Sequence, residues 1–395
     1  MNLLFILGGS RVLQDTEGRW YIGCGLNEEV WKRYTSVCDR LCLLARKEEN
    51  VLESKAAAAK YDEINTSMMD VEVVDDIYRP FYKALCPKGR KEIYEQIKRV
   101  VARYDKVIIR VCVNSYSLWA WQACMKLGKP FAVEIVEVSW DLVWNFGNIR
   151  KLLAYHYERQ QKKITASAPY ALYVTTQEMQ DRYPCPGKTI GCSNVELKNV
   201  NAENLEQRIK RIKDSQGVIR LGTTGFFGPK VKGQHLVIKA MGRLKREGIA
   251  NIEYQLVGGG DTTFLEKVAA SEGVSAQVKF VGSMPHDKIF EWLDDIDIYI
   301  QPSYQEGLCR SVVEAMSRAC PIIASDACGE RELTDEKFIF KRGDWKALAK
   351  RIKLMISSKE TMIHDAQRAF EKSKEYRKEI LDKRRHDFYT EFMSE

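Results

Sequence analysis

Two carboxylates and one ammonium group mark where this sequence could do chemistry. Glu306 and Glu314 flank the end of a polar bend, Ser303-Tyr304-Gln305-Glu306-Gly307, and Lys232 precedes Gly233 in the glycine-bearing stretch Thr224 to Gly233. Carboxylates accept hydroxyl protons, and a lysine beside uncapped helix N–H groups holds phosphate charge. An acid, an anion seat and a second acid suit a sugar attached to a nucleoside diphosphate. A loop glutamate and a solvated helix glutamate would show the same spacing, so the two acids alone do not decide between these readings.

The elements around them are legible. Ile296 to Ile300 is a short β-branched run ended by Pro302, the pattern of a buried strand. Leu308, Val312, Ala315, Met316 and Ala319 then recur at helical spacing, so a helix is predicted from near Gly307. Cys320-Pro321 ends it, and Ile322-Ile323-Ala324 reads as the next strand. Glu314 lies about 240° around that helix from Leu308, off its apolar stripe. The unit is βαβ, with its loop at the carboxyl end of a parallel strand, where open α/β sheets bind ligands. Upstream, Val218 to Gly222 is a predicted strand, Gly228, Lys230 and Lys232 lie in its loop, and Gln234 to Glu247 is its helix. Ile252 to Val257 runs into Gly258-Gly259-Gly260-Asp261, and Val278 to Val281 into Gly282-Ser283-Met284-Pro285.

The segment QPSYQEGLCRSVVEAMSRACPIIAS resembles the signature of the retaining glycosyltransferases of family 4, which have the GT-B fold. Glu306 and Glu314 match its two acids; Pro302, Ser303, Gly307, Ala315, Met316 and Pro321 match its frame. Cys320 stands where a glycine is usual. The similarity covers roughly residues 215–355 and thins out toward the N-terminus. The resemblance implies an α/β protein of two Rossmann-like doubly wound domains facing a central cleft. Glu306 would hold donor-sugar hydroxyls and Glu314 the ribose. Lys232, with Lys230 and the N–H groups at Gly307, Leu308 and Cys309, would stabilise the leaving diphosphate. Gly228 and Gly258 would approach the donor, and Met284 would lie at the turn holding the base. The family's arginine falls on Phe226, which cannot hold phosphate. Gly329-Glu330-Arg331-Glu332 resembles the family's turn near the donor. No carboxylate cluster resembles a metal clamp, so no metal and no cofactor are expected beyond the nucleotide-sugar co-substrate.

The N-terminal half alternates strand and helix, which implies a parallel sheet. Its first strand is read over residues 2–7, with Gly8-Gly9 facing the acceptor or making a plain tight turn. A helix is read over residues 50–62, and a buried strand over Val107 to Val113. After the predicted strand Phe131 to Val138 come Glu137, Trp140, Asp141, Trp144 and Asn145. Aromatic faces cover sugar C–H surface and acids accept hydroxyl protons, so Glu137, Trp140, Asp141 and Asn145 are acceptor-side candidates. Two core tryptophans beside solvated acids would look the same. The domains are read as 1–192 on the acceptor side, 193–217 as a polar linker, 218–370 for the nucleotide sugar, and 371–395 as a terminal helix crossing back to the first domain.

At 395 residues, with 45% hydrophobic and 29% charged content, the chain fits two globular domains. The net charge of +8 suits an anionic ligand or lipid surface, and no basic tract interleaved with aromatics suggests nucleic acid. Eleven cysteines without a CxxC pair, including Cys112, Cys124 and Cys320 in apolar runs, read as reduced buried thiols. The opening Leu3 to Leu7 run is too short for a signal peptide, and no apolar run is long enough to span a membrane. The expected activity is transfer of a sugar to a hydroxyl of a glycan or undecaprenyl-linked acceptor in surface polysaccharide biosynthesis. The expected setting is the cytoplasm, at the inner face of the cytoplasmic membrane, where Arg99, Arg103, Lys162 and Lys163 would meet anionic lipid; a solvated basic face is an equal reading. A sugar-nucleotide 2-epimerase of the same fold and a non-catalytic nucleotide-sugar binder remain alternatives.

Overall fold

Long apolar runs separated by amphipathic helices should place parallel strands between two helical layers. The computed structural model has this arrangement twice. It describes residues 1–395 apart from 24, 112–113, 146–150 and 229, and apart from the side chains of 81 and 152. The readings that fall on Cys112 and on the end of the 107–113 strand lie outside the described residues. One unit comprises Met1–Cys192 with Asp382–Glu395, the other Ser193–Leu381.

The first unit's strands are β1 (Asn2–Gln14), β2 (Trp20–Ile22), β3 (Arg40–Lys47), β4 (Asp62–Glu63), β5 (Met69–Val74), β6 (Lys106–Val111), β7 (Phe131–Ile135), β8 (Tyr170–Tyr173) and β9 (Lys188–Gly191). The parallel order is β5-β3-β1-β6-β7-β8-β9, and β2 and β4 extend the far end of β1 antiparallel. The strand order reverses between β1 and β6. Sequence reading ended the first strand at residue 7. Instead β1 continues to Gln14, with a register shift against β3 between Ile6 and Arg11, and turns back into β2. The alanine-bearing stretch holds only a short helix, Ser54–Ala58, before β4.

Residues 382–395 add Tyr389 to a sealed polar cluster in this unit. Glu134 on β7 is 1% exposed and accepts from Tyr34 Oη at 2.7 Å, Tyr389 Oη at 2.6 Å and Arg110 Nε at 2.9 Å. Burial works to raise the Glu134 pKa, but Arg110 and the two hydroxyls hold the carboxyl below its ordinary value.

The second unit's strands are β10 (Ile219–Thr224), β11 (Ile252–Val257), β12 (Val278–Gly282), β13 (Ile298–Gln301), β14 (Ile322–Ser325) and β15 (Ile339–Phe340). All pair parallel in the order β12-β11-β10-β13-β14-β15, the Rossmann order, which reverses between β10 and β13. The stretch read as a polar linker contains a helix, Ala202–Asp214. Its Arg208 is 3% exposed and donates to Leu293 O at 2.6 Å and Cys320 Sγ at 3.1 Å. That buried arginine docks the helix on the second unit. Cys124 and Cys320 are buried thiols. Among the described residues, no helix is long and apolar enough to cross a membrane.

Candidate active site

The reversal between β10 and β13 sets their two following loops side by side. Close backbone contact fixes them. Gly233 has φ +71°, and a Cβ there would lie 2.0 Å from Pro302 O. Only glycine meets both conditions, so the Lys232-Gly233 step and the start of the Ser303–Gly307 bend are locked together. A second contact works the same way: a Cβ on Gly258, after β11, would lie 2.1 Å from Gly225 O.

The side chains then converge. Lys232 Nζ lies 2.9 Å from Glu306 Oε1, with the two side chains 34% and 13% exposed. Gln301, the last residue of β13, donates from Nε2 to Glu306 Oε1 at 3.0 Å and to Ser303 Oγ at 2.9 Å. Its Oε1 accepts from Tyr299 Oη at 3.3 Å, and that hydroxyl pairs with Thr224 Oγ1 at 2.8 Å. A chain of hydrogen bonds thus runs from β10 through β13 to Glu306. Burial works against the Lys232 charge, but Glu306, with Glu330, raises the lysine's pKa above its ordinary value. Lys232 is therefore an ammonium group across the physiological range.

The helix after the bend is Arg310–Ser317, with Cys309 at its N-cap. It starts three residues later than the spacing near Gly307 predicts. The buried Cys309 Sγ pairs with Ser311 Oγ at 3.1 Å and does not cap the helix. Burial, with Glu306 and Glu330 adding, pushes the thiol's pKa well up, so it is neutral. Gly329 backs onto this loop: at φ +80°, a Cβ there would lie 2.3 Å from Gly307 O. It begins the Glu330–Leu333 helix, whose fully buried Glu330 adds negative charge near Lys232 and Cys309. Glu314 is half-buried in the helix, as its position off the apolar stripe predicts, and Nε2 of His286 lies 3.1 Å from its Oε1.

Of the other donor-side candidates, Lys230 is exposed, with Nζ 4.6 Å from the centre of the Phe264 ring, and does not join the Lys232–Glu306 pair. Beside it, His235 stacks parallel on Tyr304, and burial, with Lys239 and Lys230 adding, lowers its pKa to about 4. Gly228 is exposed, and Met284 is partly buried in the turn after β12. Phe226 is 59% exposed, beside Gly228 and Gly260. Sequence reasoning missed Gln301 and His286. Gln301 ends a strand and His286 opens the helix after the turn that follows β12, and those positions were their available signal.

In the first unit, Gly8 is buried. A Cβ on it would lie 2.5 Å from Tyr116 Cβ and 2.7 Å from Asn114 Oδ1, so this glycine serves close packing against a helix start; Gly9 beside it is exposed. Glu137 is partly buried just beyond β7, and burial, opposed by Arg110, pushes its pKa up to about 7. Trp140 and Trp144 stack at 5.1 Å in the short helix Ser139–Trp144, and Lys151 Nζ lies 4.8 Å from the Trp144 ring centre. Trp144 is 41% exposed, whereas Asp141 is buried and not a solvated acid. Asn145 turns its Nδ2 back to Asp141 O at 2.9 Å. Of the basic residues read as lipid-facing, Arg103 pairs with Glu72 at 2.8 Å, Lys162 with Glu158 at 3.8 Å, and Lys163 lies over the Trp121 ring. Among the described residues, no group of three or more His, Cys, Asp or Glu side chains is placed to hold a metal ion.

Comparison with known proteins shows the family. Residues 221–375 match the family described as glycosyl transferases group 1. Protein CapJ of Staphylococcus aureus is 31% identical over 344 residues, covering 86% of this chain and 83% of CapJ. The amylovoran biosynthesis glycosyltransferase AmsK of Erwinia amylovora is 33% identical over 128 residues, covering 30% of this chain and 31% of AmsK. The crystal structure of Anabaena HepE in complex with UDP superposes with a TM-score of 0.63 at 16% identity, covering 97% of this chain and 98% of HepE. The fold is GT-B, and the chain belongs to the glycosyl transferases group 1 family of sugar-transferring enzymes.

Proposed function

We propose that this enzyme moves a sugar from a nucleoside diphosphate sugar to a hydroxyl of a glycan or lipid-linked glycan, in surface polysaccharide biosynthesis. The reading includes retention at the anomeric carbon and no metal. The observation that carries it is the Lys232–Glu306 pair, held by Gln301 where the second sheet reverses order. Names of similar proteins support it: AmsK is named for amylovoran biosynthesis, and HepE was crystallised with UDP.

In this reading Lys232 and the N–H groups at Gly307, Leu308 and Cys309 face the diphosphate, and each such donor contributes about 3 kcal/mol where charge develops. The bond from the anomeric carbon to the phosphate oxygen breaks, and the acceptor oxygen bonds that carbon on the same face. The acceptor's proton passes to the departing phosphate oxygen, so no protein base is needed. Glu306 then divides its carboxylate between Lys232 and the donor-sugar hydroxyls, and Glu314 takes the ribose. Glu137 and the exposed Trp144 meet the acceptor glycan, and Lys162 and Lys163 meet anionic lipid.

Calorimetry against UDP, GDP and ADP and their sugars tests the donor. A turnover assay in EDTA, with the product's anomeric configuration read by NMR, tests the chemistry. Binding of one nucleotide family and EDTA-resistant transfer with retention are expected. Absence of binding to all of them would reject the donor reading. Activity lost in EDTA and restored by magnesium or manganese would reject metal independence.

A further inference from the structure

A side-chain contact joins the start of the helix after β12 to the Glu314-bearing helix. His286 is the first residue of the helix His286–Asp295, directly after Ser283-Met284-Pro285. Its Nε2 donates to Glu314 Oε1 at 3.1 Å, and its side chain is 60% exposed against 14% for Glu314. The ring is steadied from its own helix by Phe290, edge-on at 5.3 Å and 84°. The contact occupies one carboxylate oxygen of Glu314 and leaves the other for a ligand hydroxyl.

We propose that His286 is a positioning residue of the nucleotide seat: it orients Glu314 toward the ribose hydroxyls and makes donor affinity depend on pH. The inference rests on the donor reading of Glu314. Charged and titratable groups near the imidazole are Glu314 and Arg310 from the Arg310–Ser317 helix and Asp287 from its own helix; the turn Ser283–Pro285 supplies none. The hydrogen bond to Glu314 is the main influence and raises the His286 pKa above its ordinary value, against partial burial and Arg310. At low pH the imidazolium both donates to Glu314 and neutralises it. As pH rises through the raised pKa the charge is lost. The hydrogen bond then weakens, and an uncompensated carboxylate faces an anionic donor.

The test is calorimetry on the full chain with UDP-glucose, GDP-mannose and ADP-glucose, whose diphosphate diesters do not themselves titrate between about pH 6 and 8. For whichever sugar nucleotide binds, the native protein should lose about five- to tenfold in affinity over that range. His286→Gln keeps a neutral donor near the Nε2 position. It should bind with about the native affinity at pH 8, and its affinity should change less than about twofold across the range. NMR titration of the ligand-free protein should find the His286 pKa raised and returned toward its ordinary value by Glu314→Gln. Binding with the same pH profile in native protein and His286→Gln would overturn the inference while leaving the donor reading intact. Absence of binding to all three sugar nucleotides at every pH would overturn both.

Discussion

Each unit holds a carboxylate against a cation, and the two pairs are built for opposite ends. Glu134–Arg110 in the first unit is sealed: the acid is 1% exposed, and two tyrosine hydroxyls complete its hydrogen bonds. Glu306–Lys232 in the second unit is part-exposed, with one glutamine as its further partner. A buried pair with its oxygens satisfied has little left to offer a ligand, so its removal should register as stability. A pair with solvent-reachable atoms keeps unused bonding capacity and a field that a ligand can use, so its removal should register as chemistry. The difference arises from the backbone. In the first unit, Arg110 and Glu134 lie within β6 and β7, and Tyr34 and Tyr389 cover them. In the second, β10 and β13 stop short, and Gly233 and Pro302 hold two loops open-ended beside each other.

The sharpest way to break this contrast is to cut each pair. Glu134→Ala leaves the Arg110 guanidinium buried beside two hydroxyls without its counter-charge. It should lower stability by about 3–5 kcal/mol in denaturant unfolding, with donor affinity of the folded fraction unchanged. Lys232→Ala should do the reverse. Its melting temperature should stay near native while the rate falls by about 2–4 kcal/mol of transition-state stabilisation, roughly 30- to 1000-fold. Lys232→Arg should recover part of that, since it restores charge but changes reach and shape. Equal loss of stability and activity in both variants would erase the distinction.

Glu306→Gln sharpens the contrast with a smaller effect. Glu306 keeps the lysine charged against burial. In native protein the Lys232 pKa lies above its ordinary value, so its ammonium persists as pH rises well past neutrality. With the carboxylate gone, burial is less opposed and the pKa falls from its raised value, so the active form is lost at lower pH. The pH–rate profile should show its alkaline limb moved down, with kcat reduced about tenfold at neutral pH. An unmoved limb would mean that Glu306 does not set the charge of Lys232.

The βαβ unit that holds Glu306 and Glu314 was legible because its signals are local: a β-branched run, a proline stop and an apolar stripe. The polar chain that tunes it was not. Gln301 reaches Glu306 five positions along, past the start of the bend, and His286 reaches Glu314 from another helix, 28 positions away. Neither contact leaves a periodic trace. The first glycine pair was ambiguous for a related reason. Glycine after an apolar run signals close approach without saying of what, and at Gly8 the approaching group is a tyrosine. The 193–217 stretch read as a linker because its docking residue is Arg208, an arginine that buries its guanidinium against Leu293 O and Cys320 Sγ. Polar composition and burial normally oppose each other, and here they coincide.

The smallest expected effect comes from adding a cation to the loop after β10. Phe226 occupies the position where the resembled family has an arginine. It is 59% exposed, and Gln234 Nε2 donates to its carbonyl at 3.3 Å, which fixes the backbone from which a longer side chain would extend. Replacing so exposed a ring leaves no cavity and should not change the melting temperature. Phe226→Arg places a second cation near the phosphate seat, a guanidinium beside the Lys232 ammonium. A half-exposed charge-assisted contact is worth about 1 kcal/mol, so donor affinity should rise roughly fivefold. The gain should shrink with added salt, as it does for a solvent-screened charge. In the sealed cluster of the first unit the same addition would have no vacant partner and would only destabilise. Unchanged affinity in Phe226→Arg would place the diphosphate away from the loop after β10, and Lys232 would then need another role.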